Sequence, residues 1–262
     1  MNFAPNNFTL GRLPNVRTLF IPDNGKSIID MDLDRADAQV VAWEANDLTL
    51  IKAMQQNADL HLINASEIFN LGLSFEDCLP SNPNLKDLAK KHKPYRDKAK
   101  AFCHAVNYGA KGRRIASVLG VPKIEGERLV KRYLEIRPKV KEWQDATLFK
   151  LNSTRTITNK FGYRRVFQGR VENLLPQALA WVPQSTVAIV IDACMDNIIT
   201  NLRHRVDVLG QVHDSLFMQT DTNTLRETIA LIKEETQIII PYDLPLIIPC
   251  SFKHSSKNWG DA

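Results

Sequence analysis

Apolar and polar residues alternate most regularly at 27–34, SIIDMDLD. Ile29, Met31 and Leu33 fall on one side of an extended chain, and Asp30, Asp32 and Asp34 on the other. The pattern predicts a strand with a well-buried apolar side and three acids opposite. Like charges that close are costly unless solvent or a cation sits among them. A second alternating stretch, VDVLGQVHDSLFMQ at 206–219, flanks His213-Asp214 and predicts a β-hairpin with a polar tip. Gly or Asn would turn the chain more cheaply than His-Asp, so the tip is expected to have a task. Residues 246–252 predict a final strand. Residues 156–165 predict a strand, a turn at Gly162 and a basic exit.

Elsewhere the apolar spacing is helical. Residues 36–53 predict one helix with Ala36, Val40, Val41 and Trp43 inward. Asp59 is placed to cap the next helix. Short and amphipathic helices are expected at 115–119, 123–136 (stopped by Pro138), 140–151 and 222–237. The helix within 175–199 is apolar on most sides and should be buried. Residues 1–26 read as an irregular lead-in, and 71–94, with Gly72, Pro80, Pro83 and Pro94, as loops and short pieces. Strands backed by helices, with an all-helical insertion, predict an α+β fold of two lobes.

The stretch 96–109, RDKAKAFCHAVNYG, divides into two faces when wound as a helix. Ala99, Phe102, Cys103 and Val106 form a buried stripe. Arg96, Lys100, His104 and Tyr108 recur every four residues on another side, with Gly109 as a stop. Cations in such a row can follow phosphates, and rings can stack on a base. The same row also suits a solvated basic face. Charge distribution adds to the picture: seven Lys or Arg stand against two Asp between Lys86 and Lys100, within a chain of formal charge +5. A cluster of that kind suits a polyanionic partner.

Four cysteines lie far apart with no CxxC pair, which argues against a zinc site or disulfide framework and fits a reducing compartment. The N-terminus lacks the form of a signal peptide, and the apolar run at 187–191 is too short to span a bilayer. A soluble intracellular protein with no membrane partner is expected. A carboxylate of the strand at 28–33 and Asp214 at the hairpin tip, if on neighbouring strands, could hold a pair of divalent cations for in-line phosphoryl transfer.

Three motifs together resemble the A-family DNA polymerases, the type of bacterial DNA polymerase I and related phage replicases. DLDRADAQVVAW at 32–43 is similar to the motif that holds an invariant metal-binding Asp, with a Glu five residues on. The resemblance implies metal ligation at Asp32 and the Leu33 carbonyl, with Asp37 in the Glu position. Arg96, Lys100, His104, Tyr108 and Gly109 match R-x3-K-x3-(aromatic)-x3-YG. QVHDS at 211–215 resembles the third motif, with Asp214 as the second metal ligand. Asp59-Leu60-His61 resembles D-I-H, whose His contacts the nucleotide's phosphates. RYLEIRPKVKEW at 132–143 resembles a fingers helix, Gln184 the residue that touches the minor groove, and KNWGD the C-terminal tail.

The resemblance implies a right-hand palm with an antiparallel sheet backed by helices and an inserted helical fingers lobe. The implied division is palm at 1–72, fingers at 73–155 and palm again at 156–262. It implies template-directed addition of dNTPs to a primer 3′-hydroxyl, with two Mg²⁺ ions as cofactors and primer–template DNA as partner. Asp32, Asp214 and Lys100 would be catalytic. His61, Arg96, Lys100, His104, Tyr108 and Asp37 would bind the dNTP, and Gln184, His213, Arg164 and Arg165 the DNA.

Three positions depart from the family pattern. His104 stands where Phe or Tyr is usual, Asp37 is shorter than the usual Glu over the ribose 2′ position, and Ser215 replaces a common Glu. HDS also resembles single-subunit phage-type RNA polymerases, which carry Gly near the gate where this chain has an acid. A non-catalytic nucleic-acid-binding remnant is the remaining alternative. The chain begins almost directly at the palm, so thumb and exonuclease are expected to be absent. It is then one half of a split polymerase, a compact distributive enzyme or an excised domain. A second polypeptide would supply the thumb or exonuclease in the first case, and the setting would be phage-infected or bacterial host cytoplasm.

Overall fold

The computed structural model describes residues 15–262; the expected lead-in up to residue 14 lies outside the described residues. In chain order the strands and helices begin β1 (Lys26–Leu33), α1 (Ala36–Glu44), α2 (Leu48–Gln55), α3 (Leu60–Phe69), α4 (Leu85–Lys91) and α5 (Lys93–Asn107). They continue α6 (Gly112–Leu119), α7 (Lys123–Ile136), α8 (Pro138–Ser153), β2 (Thr156–Thr158), β3 (Arg164–Val166) and α9 (Val171–Leu202). The last are β4 (Asp207–Val212), β5 (Ser215–Asp221), α10 (Leu225–Glu235), β6 (Ile239–Ile240), β7 (Leu246–Ile247) and β8 (Cys250–Ser255). The fold is α+β, as expected. The described residues form two compact units, one of residues 15–36 with 186–262 and the other of 37–185.

In the first unit β1 is an inner strand of an antiparallel sheet ordered β4-β5-β1-β8. It is buried on both faces over Ser27–Met31, which is more than simple alternation predicts. The reason is a cover from distant segments. Ile28 and Phe217 pack with Trp259 from the tail, Phe217 and Trp259 stacking at 4.2 Å between centroids. Phe20 meets both rings edge-on at 5.7 and 5.6 Å, and the Arg17 guanidinium lies 4.3 Å above the Trp259 ring. Asp30 is therefore a buried acid, paired with Arg17 at 3.3 Å, and not one of three solvent-facing carboxylates. Asp32, two residues on, lies past this cover and is exposed.

The second unit is largely helical. Its core joins Phe102, Cys103 and Val106 of α5 to Ile115 and Leu119 of α6, Tyr133 of α7 and Ile68 of α3. Phe102 and Tyr133 meet edge-on at 5.6 Å. The α5 stripe is thus buried as its spacing predicts, with Pro94 in the first turn, where its missing N–H costs nothing. Helices α6 and α7 approach through Gly112 and Gly126; a Cβ on Gly126 would lie 2.4 Å from the Gly112 carbonyl oxygen.

Three expected elements divide. The helix expected over 36–53 is two helices. Asn46 takes a left-handed φ of 51°, and Asp47 then caps α2 through Thr49 and Leu50 N–H, each 3.1 Å away. The strand expected over 246–252 is interrupted at Pro249, which cannot donate to a ladder; β7 pairs with β6, and β8 joins the main sheet. The basic exit after Gly162 is itself a strand, β3, paired with β2. Helix α9 also differs from expectation. With 32 residues it is long and apolar enough to cross a membrane by length and composition, and half of its apolar window is buried within the protein. It carries Pro176 and Pro183.

Candidate active site

The acids of the first unit meet at one end of β1. The register pairs Asp32 with Ser215 and Val212 with Ser215, so His213 and Asp214 form a two-residue turn beside Asp32. The Leu33 N–H donates to the Asp214 carbonyl at 3.0 Å, and the Asp34 N–H to the Pro249 carbonyl at 2.8 Å. His213 holds φ at 58°, the left-handed region that favours Gly, and Asp214 does not. Ser215 explains itself locally: its hydroxyl donates to the Val212 carbonyl at 2.9 Å and closes the turn.

Electrostatics single out the same pair. Asp32 is open to solvent, yet the surrounding protein removes enough water to push its pKa up to about 6, with the nearby charge of Asp214 the next cause and Asp30 and Asp34 adding to it. Lys253 opposes the shift. Converging carboxylates that destabilise each other's charge are a donor set for a hard divalent cation. Among the described residues no group of three or more His, Cys, Asp or Glu is placed to hold a metal alone. Two carboxylates would leave the other positions of such a cation to carbonyl, water and phosphate oxygens, so the residues present fit Mg²⁺.

The basic face belongs to the second unit. Lys100 and His104 are exposed on α5, and Arg96 and Tyr108 are half-buried at its two ends. Arg96 pairs with Asp59 at 2.7 Å. His61 is the second residue of α3, just past the Asp59 cap. His104 and Tyr108 meet edge-on at 4.6 Å, and the Tyr108 hydroxyl donates to Asp37 at 2.7 Å. Burial and the Asp37 charge raise the Tyr108 pKa far above its ordinary value, so the phenol keeps its proton. Gly109 turns the chain at φ 80°, and a Cβ there would lie 3.2 Å from Leu179.

Helix α5 ends firmly. Gln144 of α8 donates to the carbonyls of Val106 and Asn107 at 2.7 and 3.2 Å, and the Tyr133 hydroxyl donates to Asn107 at 2.9 Å. The two Gln144 bonds satisfy carbonyls that a helix terminus leaves open, and the Tyr133 bond holds the Asn107 side chain.

Arg164 and Arg165 are exposed on β3, and Arg165 lies 4.9 Å over the Phe167 ring. Gln184 is exposed on α9. Its neighbour Ser185 accepts a 3.0 Å bond from Asn159, whose side-chain oxygen accepts the Phe161 and Tyr163 N–H groups at 3.1 Å. The structure thus groups Asp32 with Asp214, Arg96 with Asp59 beside His61, and His104 with Tyr108 and Asp37. Sequence reasoning missed Arg17, Gln144, Asn159 and the second role of Asp59. Of these only Asp59 carried a signal, its place beside His61.

The profile of DNA polymerase family A matches residues 6–261. "DNA polymerase I, thermostable" of Thermus thermophilus is 26% identical over 239 residues, covering 88% of this chain and 27% of that protein. "DNA polymerase I" of Caldicellulosiruptor bescii is 24% identical over 257 residues, covering 93% of this chain and 28% of the relative. The chain therefore spans about a quarter of the length of these relatives. Among solved structures, the POL domain of Pol1 from M. smegmatis, in complex with DNA primer-template and dNTP, superposes with a TM-score of 0.79. That match has 21% identity and covers 95% of this chain and 42% of that one, a likeness of fold. With the profile matched over nearly its whole length, the chain belongs to DNA polymerase family A.

Proposed function

We propose that the chain carries the nucleotide-adding centre of a template-directed DNA polymerase, joining dNTPs to a primer 3′-hydroxyl. The observation that carries this reading is the meeting of Asp32 and Asp214, with Asp32 pushed up to about 6 by loss of water and by the charge of Asp214. Asp32, Asp214 and the Leu33 carbonyl would hold two Mg²⁺ ions. When bound, these would lower the pKa of the primer hydroxyl and neutralise charge on the triphosphate.

The remaining work falls to the chain's own groups. Arg96, Lys100 and His61 bind the triphosphate, with Lys100 in a catalytic part because charge on the leaving phosphates grows during transfer. His104 and Tyr108 take the nucleoside, and Asp37, held by the Tyr108 hydroxyl, borders the ribose 2′ position. Gln184, His213, Arg164 and Arg165 contact the primer–template. The fingers correspond to 73–155 and the palm to 1–72 with 156–262. We further propose phage-type DNA replication in a bacterial cytoplasm as the setting, with a second polypeptide supplying the thumb or exonuclease of a split enzyme.

Primer extension with Mg²⁺, comparing the parent with Asp214→Ala, tests the reaction. The parent should extend and the variant should not. No extension by the parent, with duplex binding retained and no rescue by a second chain, would make it a non-catalytic binding remnant. Preference for rNTPs on the same primed template would make it an RNA polymerase.

A further inference from the structure

Arg96 is gripped by the same carboxylate that starts the neighbouring helix. Asp59 Oδ1 accepts the Leu62 N–H at 3.0 Å and caps α3, and Asp59 Oδ2 lies 2.7 Å from Arg96 Nη2. The Asp59 backbone is fixed as well, its N–H donating to the Cys78 carbonyl at 2.8 Å. Both side chains are largely buried, 14% exposed for Asp59 and 27% for Arg96. Arg96 Nε is buried without a hydrogen-bond partner among the described residues, and the ion pair on the guanidinium is with Asp59.

We propose that Asp59 is a positioning residue for nucleotide binding: it fixes the Arg96 guanidinium in the orientation that receives the triphosphate and ties that orientation to α3, which carries His61. This rests on the reading of Arg96 as a nucleotide ligand. An arginine side chain has a large rotamer entropy to lose when it binds an anion. A carboxylate that holds the planar fork beforehand removes most of that loss from the binding step. The bare Coulomb effect of Asp59 has the opposite sign, since an acid beside the cation weakens the pull on any polyanion. The two effects can therefore be told apart by the direction of one measurement.

Asp59→Asn is the variant of choice. Asn caps a helix about as well as Asp, so α3 keeps its start while Arg96 loses its charged partner. The dissociation constant of dATP is measured on the full chain with primer–template, alongside the melting temperature. Asp59→Asn should weaken dATP about tenfold at an unchanged melting temperature, and Asp59→Asn/Arg96→Ala should bind no more weakly than Arg96→Ala alone. Unchanged or tighter dATP binding by Asp59→Asn would overturn the proposal, as would the same weakening persisting without Arg96. Should Asp59→Asn fail to fold, Arg96→Lys decides: it keeps the charge but lacks the fork, and parental affinity would refute positioning. If Arg96→Ala binds dATP like the parent, Arg96 is no nucleotide ligand, and that reading falls together with the inference.

Discussion

Removing one oxygen from Tyr108 tests the gate at the ribose. The Tyr108 hydroxyl donates to Asp37 at 2.7 Å, and the phenol stays protonated because its pKa is raised by burial and by that carboxylate. A hydrogen bond to a charged group contributes about 1.5–3 kcal/mol when dry. Both partners here are only half-buried, so water replaces part of the loss and about 1–2 kcal/mol is expected. Tyr108→Phe keeps the ring and its 4.6 Å contact with His104, so the change isolates the hydroxyl. Urea denaturation of the parent, Tyr108→Phe, Asp37→Ala and the double variant forms a closed cycle, provided the slopes agree. The coupling between the two sites should be about 1 kcal/mol or more. A coupling below about 0.3 kcal/mol would show that the bond holds nothing in solution. The same variants carry a functional readout. Asp37→Ala should raise ribonucleotide use, and Tyr108→Phe should raise it less, since the carboxylate is loosened but present. Equal rNTP/dNTP selectivity in Asp37→Ala and parent would sink the gate outright.

Four further outcomes follow from particular contacts. Lys100→Ala should lower kcat/KM for dNTP about 10²-fold while duplex affinity changes less than about twofold; chiefly weakened duplex binding would make α5 a general basic face. His213→Gly should stabilise the protein by about 1 kcal/mol by relieving the left-handed φ of 58°, measured by urea melts, while extension falls; a destabilised variant would show that the turn is unstrained. Gly126→Ala should destabilise by about 1–3 kcal/mol, because its Cβ would sit 2.4 Å from a backbone oxygen that cannot swing aside; a neutral change would mean that α6 and α7 separate freely. Mn²⁺ affinity should fall about tenfold per pH unit below about 6 and level off above, since Asp32 must lose its proton to bind and its pKa is about 6. A flat profile between about pH 5 and pH 8 would separate Asp32 from the metal.

Local pattern made some of this legible. The α5 faces follow from spacing alone: Ala99, Phe102, Cys103 and Val106 are buried, and Lys100 and His104 are exposed. The hairpin tip also follows, because alternation on both sides of His213-Asp214 sets the pairing of Val212 with Ser215, but the register shift between Val208 and Gly210 was not legible. What escaped depends on single residues or on distant ones. The break between α1 and α2 turns on one left-handed residue, Asn46, inside an otherwise helical pattern. Asp59 looked like a cap, and one oxygen is; the other oxygen reaches Arg96, 37 positions along the chain, which no local pattern can disclose.

The acids of β1 show most clearly why alternation is not enough. Asp30 and Asp32 stand two residues apart, so the pleat turns both to one side, and alternation alone treats them alike, although the motif resemblance picks out Asp32. The fold does not. Trp259 and Phe217 stack over the first part of that face, and Arg17 comes in from the other end of the chain to neutralise Asp30 beneath them. The cover stops before Asp32, whose own neighbours are mainly acids. A buried carboxylate with an internal cation is a structural group, since its charge is already answered. An open carboxylate crowded by other acids, with Lys253 only partly offsetting them, is a ready donor for a divalent cation from solution. On the proposed reading, the distinction between a supporting acid and a ligand is thus set by three side chains outside the motif. Moving the boundary should move the role: Trp259→Ala would wet Asp30 and release Arg17, adding Asp30 as a third competing acid to the pair of Asp32 and Asp214.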